Sequence, residues 1–156
     1  MLEEGQDAPD FKLPCDNGET FHLGAQKGKL IVLFFYPKDD TSGCTKEAIS
    51  FSELQDEFQN VGADVFGVSP DSIKSHLKFK DKHDLSVPLI SDEDKEVIQK
   101  YGIWVEKSMY GRKFMGVERT TVLVDKDGKI AKIWRKVKVT GHAPAVLKAI
   151  KTIEES

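Results

Sequence analysis

The chain has 156 residues, a length that suits one compact domain with its own hydrophobic core. Apolar residues make up 39% and charged residues 31%, an ordinary composition for a globular chain in water, and the net charge of -3 offers no electrostatic footprint for nucleic acid. The longest apolar run, Leu30 to Tyr36, is far too short to span a bilayer, and the acidic start Met1-Leu2-Glu3-Glu4-Gly5 lacks the apolar core of a signal peptide, so a cytoplasmic location is expected.

In chain order, Phe11-Lys12-Leu13 and Thr20-Phe21-His22-Leu23 flank Asp16-Asn17-Gly18-Glu19, and Asn-Gly between apolar segments predicts a hairpin. Leu30 to Phe35 is continuously apolar and rich in β-branched and aromatic residues, the pattern of a central strand buried on both faces. After a turn from Pro37 to Gly43, the spacing of Ala48, Phe51, Leu54/Gln55 and Phe58 predicts one helix from Cys44 to about Asn60. Asp64 to Ser69 reads as a second buried strand. Ser69-Pro70-Asp71 then opens a helix with Pro in its first turn and with Ile73 and Leu77 facing inward.

Val87 to Ile90 predicts a short strand. Ser91-Asp92-Glu93-Asp94 predicts the start of a helix whose inner face holds Val97, Ile98 and Tyr101. Thr120 to Val124 and Ile130 to Val137 surround Asp125-Lys126-Asp127-Gly128 as a second hairpin, and the basic run from Lys132 to Lys138, alternating with apolar residues, reads as the solvent face of its second strand. A last helix begins near Pro144 with Val146, Ala149, Ile150 and Ile153 as its apolar stripe. No repeat, low-complexity stretch or linker interrupts the chain, so a single domain over residues 1–156 is expected. The order of elements predicts an α/β fold with a mixed central sheet flanked by helices and an N-terminal β-hairpin. A thioredoxin-like architecture fits that order, as do other three-layer α/β folds.

There are two cysteines, Cys15 and Cys44, and they form neither a CxxC pair nor a disulfide framework. The four histidines are scattered without metal-ligand spacing. Cys44 stands where a buried strand gives way to a helix, the place where chemistry collects in open α/β sheets. A free cysteine is only roughly 3% thiolate at pH 7, whereas the unpaired N–H groups of a helix start and cationic neighbours favour the thiolate. Thr41, three residues earlier, is placed to direct a hydroxyl into the same pocket, Gly43 allows a close backbone approach, and Pro37 stiffens the entry to the turn. The plain alternative is a buried inert cysteine with Thr41 and Ser42 merely capping the helix.

The pattern Pro37-x3-Thr41-x2-Cys44-Thr45-x-Glu47 resembles the active-site signature of the peroxiredoxins, and Gly43 and Thr45 beside the cysteine make it similar to the bacterioferritin comigratory protein, or peroxiredoxin Q, subfamily. Ala8-Pro9-Asp10-Phe11-Lys12-Leu13 resembles the family's N-terminal opening, and Gly116 to Asp125 resembles the segment that carries its active-site arginine. The resemblance spans nearly the whole chain. It implies a thioredoxin-like fold and a thiol-dependent peroxidase for hydrogen peroxide and organic hydroperoxides, with no metal or organic cofactor needed. It also implies roles: Cys44 the peroxidatic nucleophile, Thr41 a donor to the peroxide oxygens, Arg119 a guanidinium beside the sulfur, and Pro37 the residue that shapes and shields the pocket. Glu47 is implied as a partner that orients Arg119. Bland alternatives are a surface ion pair of Arg119 with Glu118 or Asp125, and a solvated Glu47.

Many members of that subfamily carry a second, resolving cysteine five residues after the first, and here that position is Ile49. A one-cysteine enzyme is therefore expected, its sulfenic acid reduced by thioredoxin, glutaredoxin with glutathione, or another small thiol. The alternative is a two-cysteine mechanism with Cys15 as resolving residue, which needs its Cα within ~7 Å of that of Cys44. A redox sensor or chaperone with little turnover, and a thioredoxin-type oxidoreductase, are competing functions; the latter predicts a CxxC that the sequence lacks. A binding module lacks a large exposed apolar or charged patch in the sequence, and the resemblance suggests a monomer or weak dimer.

Overall fold

In the computed structural model, which describes residues 2–155, the apolar run Leu30–Phe35 is a strand with partners on both edges and no exposed side chain. The elements in chain order are β1 (Lys12–Pro14), β2 (Thr20–His22), β3 (Leu30–Phe35), α1 (Ser42–Glu53), α2 (Gln55–Asn60), β4 (Ala63–Ser69), α3 (Ile73–His83), β5 (Leu89–Ser91), α4 (Glu96–Lys100), β6 (Trp104–Met109), β7 (Arg112–Val117), β8 (Thr120–Val124), β9 (Ile130–Trp134) and α5 (His142–Glu155). The main sheet runs β5-β4-β3-β8-β9. The β3–β4 and β4–β5 pairs are parallel, and helices supply the crossovers such pairs require. The β3–β8 and β8–β9 pairs are antiparallel. This is the mixed sheet with an N-terminal hairpin that the order of elements predicts.

Side chains alternate across β3, and so divide the core in two. Leu30, Val32 and Phe34 pack with Cys44, Phe51, Phe58, Phe79, Val146 and Ile150 on one face. Ile31, Leu33 and Phe35 pack with Phe11, Cys15, Phe21, Ile98 and Tyr101 on the other. Phe34 stacks on Phe51 at 4.6 Å between ring centroids. Gly67 on β4 is required by that layer, since a Cβ there would lie 2.8 Å from the Phe34 ring and 2.9 Å from Leu89.

Several boundaries differ from expectation for identifiable reasons. The helix expected from Cys44 to Asn60 begins at Ser42 and breaks at Leu54 into α1 and α2, with no Gly or Pro to mark the break. Long-range ties accompany it: Ser52 Oγ accepts from the N–H groups of Ser86 and Val87. Pro70 is not in the first turn of α3. Asp71 turns back to accept from Ser69 Oγ and from the Asp39 N–H, and the helix starts later, capped by Ser72, whose Oγ accepts from Ser75 N. Its inner face is His76 and Phe79, while Ile73 is half-buried and Leu77 is 49% exposed. Ser91 belongs to β5, and α4 starts only at Glu96, although Val97, Ile98 and Tyr101 are buried as expected. The α5 stripe is Ala143, Val146, Leu147 and Ile150, with Ile153 exposed.

The hairpin β6–β7 was not expected at all. Its turn, Tyr110-Gly111, has both residues at positive φ, the type I′ geometry that Asn-Gly usually announces. It exposes Met109, Tyr110, Phe114 and Met115, with Met109 and Phe114 on one face of the ribbon and Met115 on the other.

Candidate active site

The chain leaves the sheet at the end of β3, turns through residues 36–41, and enters α1 at Ser42. Cys44 therefore occupies the first helical turn, beneath the sheet edge, and is 1% exposed. β8 runs antiparallel to β3 with Thr120 opposite Phe35, so the residue before β8 lies beside that turn. The backbone of this segment is pinned: Val137 N donates to the Arg119 carbonyl, and Glu118 N donates to the Ile103 carbonyl. Arg119 thus reaches the cysteine from another part of the chain. Its Nη2 donates to Cys44 Sγ at 3.3 Å, and its Nη1 donates to Glu47 Oε1 at 2.7 Å. A Cβ on Gly43 would lie 3.2 Å from Nη2, so the missing side chain at residue 43 makes room for the guanidinium.

Cys44 and Glu47 are three residues apart on one helix and so share a face. Glu47 is 1% exposed, and the solvated alternative is overturned. Burial pushes its carboxyl up to about 7, although the Arg119 charge and hydrogen bond pull the other way. Burial acts to lower Arg119, but Glu47 and Cys44 outweigh it and hold the guanidinium firmly charged. The surface pairs with Glu118 or Asp125 are replaced by this buried one. Lys107 on β6 also faces the cluster: burial and the Arg119 charge push its ammonium down, while Cys44 and Glu118 oppose them. Burial, assisted by Arg119, pushes His142 down to about 4; its Nε2 lies 2.7 Å from Thr121 Oγ1.

Thr41 is exposed and stands at the N-cap position of α1 without a side-chain cap; its hydroxyl donates to the Lys38 carbonyl at 2.9 Å. Its oxygen keeps acceptor capacity, and a rotation of χ1 would release the donor. Pro37 is half-buried at the entry to the turn. Cys15 is 4% exposed, packs in the other half of the core, and bridges to Ile90 on β5; burial pushes its thiol up. The structure brings Cys44, Arg119 and Glu47 together and leaves Cys15 apart from them.

Sequence reasoning missed the support under the turn. Asp39 is buried, with Oδ1 accepting from Tyr36 Oη at 2.6 Å and Oδ2 from Ser75 Oγ at 2.8 Å. His76 Nδ1 lies 2.7 Å from Asp39 Oδ2 and its Nε2 lies 2.9 Å from the Ile90 carbonyl. Both ring nitrogens face acceptors, which only the imidazolium satisfies. Against the penalty of burial, Asp39 raises the His76 pKa. Donor atoms of Asp39, Asp71 and His76 fall within 4.8 Å of one another, but a ring that donates from both nitrogens has no lone pair for a cation. The contacts to α3 cross 36 and 37 residues of chain, a separation that no local pattern reveals.

A mixed thioredoxin-like sheet with a cysteine in the first turn after its central strand, and an arginine donating to that sulfur, defines the class of thiol-dependent peroxidases built on this fold. The chain belongs to the AhpC/TSA family, whose model matches residues 5–133, and within it to the Bcp and peroxiredoxin Q peroxiredoxins. It is 48% identical over 146 residues to a putative peroxiredoxin bcp of Coxiella burnetii, covering 94% of this chain and 97% of that one. It is 46% identical over 154 residues to peroxiredoxin Bcp of Bacillus subtilis, covering 99% and 98%. A solved structure of Xanthomonas campestris peroxiredoxin Q superposes with a TM-score of 0.91 at 41% identity, covering 97% of this chain and 98% of that one. A structure of the bacterioferritin comigratory protein of the same organism, studied for alkyl peroxide reduction, gives 0.90 at 40% identity, covering 97% and 99%. The chain is a peroxiredoxin, a thiol-dependent peroxidase.

Proposed function

We propose that Cys44 is the nucleophile of this peroxidase and that it reduces hydrogen peroxide and organic hydroperoxides through a sulfenic acid. The observation that carries the reading is the guanidinium of Arg119, 3.3 Å from the sulfur. A positive charge there favours a thiolate, and its N–H groups would stabilise the negative charge that builds on the departing oxygen. The thiolate attacks one peroxide oxygen in line with the O–O bond. The S–O bond forms as the O–O bond breaks, and the leaving oxygen takes a proton to become water or an alcohol. Thr41 turns its hydroxyl from Lys38 to the peroxide, and Pro37 shields one side. Glu47 holds Arg119 in position.

Regeneration falls to an external thiol: thioredoxin, glutaredoxin with glutathione, or a small thiol. One thiol displaces water from the sulfenic acid to form a mixed disulfide, and a second thiol releases Cys44. Location of Cys15 in the opposite half of the core supports the one-cysteine route over a resolving role. A reducing cytoplasm is the compartment we propose, since both thiols are free. No helix among the described residues is long and apolar enough to cross a membrane.

Stopped-flow peroxide consumption with wild type and Cys44→Ser tests the assignment. We expect rapid consumption by the first and none above background by the second. Equal consumption by both proteins refutes it, and slow oxidation without turnover in the presence of thiol favours the redox-sensor reading.

A further inference from the structure

Two acids in this site face one cation. Cys44 and Glu47 are each 1% exposed, and Arg119 bonds to both, with Nη2 on Sγ and Nη1 on Oε1. The second carboxyl oxygen, Glu47 Oε2, is buried and has no hydrogen-bond partner among the described residues. A thiolate and a carboxylate ionised together leave this cluster with net negative charge in a low-dielectric setting, and leave one charged oxygen unpaired. Both conditions are expensive, and like charges sharing a buried site force one group to keep its proton.

The other groups around the cluster do not relieve this. From β6 comes the Lys107 ammonium, pushed down by burial and by Arg119, and the charge of Glu118 stands against it. From α5, His142 is held neutral by burial. Glu118, next to Arg119 in the chain, adds negative charge. Glu47 is the acid better suited to be neutral, because its second oxygen has no partner to hold a charge, while the large polarisable sulfur faces the Arg119 N–H.

We infer that Cys44 and Glu47 share a single proton, so that Glu47 is a neutral carboxyl while the sulfur is a thiolate and ionises when the sulfur is oxidised. The inference rests on Cys44 being the peroxidatic nucleophile. The balance is Cys44–S⁻ plus Glu47–COOH plus ROOH giving Cys44–SOH plus Glu47–COO⁻ plus ROH. The sulfur loses two electrons to the O–O bond, and the leaving oxygen gains a proton matched by the one Glu47 gives up. Oxidation removes the thiolate charge beside Arg119, and the Glu47 carboxylate takes its place. Burial sets the Glu47 carboxyl at about 7, within reach of either state near neutrality. Glu47 acts through Arg119 as a positioning residue that also stores the proton.

Single-turnover oxidation in weakly buffered solution near neutral pH, with an indicator dye, counts the protons exchanged per peroxide reduced. We expect no net uptake by wild type. We expect uptake of one proton by Glu47→Gln, whatever its rate, because the leaving oxygen must then draw on the solvent. One proton in both proteins shows that Glu47 keeps the same protonation state throughout and overturns the inference. None in both shows the proton came from a resting thiol and overturns it too. Reduced-minus-oxidised infrared difference spectra of wild type alone give a second reading, which stands even if the variant misfolds. A protonated-carboxyl band present when reduced and lost on oxidation is expected, and its absence from the reduced protein overturns the inference. A wild type that consumes no peroxide at all refutes the assignment of Cys44 instead.

Discussion

Arg119 reaches Cys44 and Glu47 across more than 70 positions of chain, and its planar fork explains why lysine is a poor substitute there. One arm holds the sulfur and the other the carboxyl, a geometry that a single ammonium does not reproduce. Arg119→Lys is expected to lower the second-order rate with peroxide about 100-fold, the scale of losing one preorganised donor to a developing oxyanion. Stopped-flow kinetics check this, and a variant with the wild-type rate removes Arg119 from the mechanism. His142 supplies a test of a different kind. The folded chain resists protonating it until pH falls to about 4, whereas an unfolded histidine binds a proton near 6.5. Between those values the unfolded state binds more protons, so this residue makes stability fall as pH falls. Urea unfolding of His142→Gln is expected to show a shallower loss of stability across that window than wild type does. Equal slopes would mean that His142 is not held neutral by the fold.

At the scale of elements, the segment between β3 and α1 carries Thr41 and leads into Cys44 in the first turn of α1, and it is anchored from below by α3. Asp39 on that segment meets Ser75 and His76 of α3, while His76 also meets β5 through the Ile90 carbonyl. Removing one partner of a buried charged pair strands the other, at a cost of about 3–5 kcal/mol. Asp39→Asn is expected to lose stability on that scale in urea unfolding. It is also expected to speed amide exchange across residues 37–44, because the turn loses its tie. Unchanged exchange there would show that the turn holds its shape without Asp39.

At the scale of the whole molecule, the central sheet is a partition. Residues of β3 point alternately to two halves of the core, and the two thiols sit in different halves. Cys15 is further held by the bridge to Ile90 and by Asp16, whose N–H donates to the Leu89 carbonyl. A bond between the sulfurs requires these contacts to open. Mass spectrometry after one equivalent of peroxide is expected to find dimedone-trappable sulfenic acid on Cys44 in wild type and in Cys15→Ser alike. The two proteins are expected to turn over peroxide at the same rate with an external thiol. A rapid Cys15–Cys44 disulfide in wild type defeats the one-cysteine mechanism.

What the sequence determined by itself was everything written in local pattern. The continuous apolar run at 30–35, the Asn-Gly turn after β1, the Gly turn before β9 and the periodic stripe of α5 each announce their element within a few residues. The cysteine at a strand-to-helix turn was legible for the same reason, and so was its i to i+3 relation to Glu47. The Tyr110-Gly111 hairpin was not, because Tyr is a rare choice at positive φ and its strands leave apolar side chains in solvent. The tertiary structure alone decided which side chains lose water. It buried Glu47 with one oxygen unpartnered, charged His76 between two acceptors, and placed the thiols on opposite faces of the sheet. Ionisation depends on desolvation and on neighbours brought in from distant parts of the chain, and neither is encoded in a short window of residues.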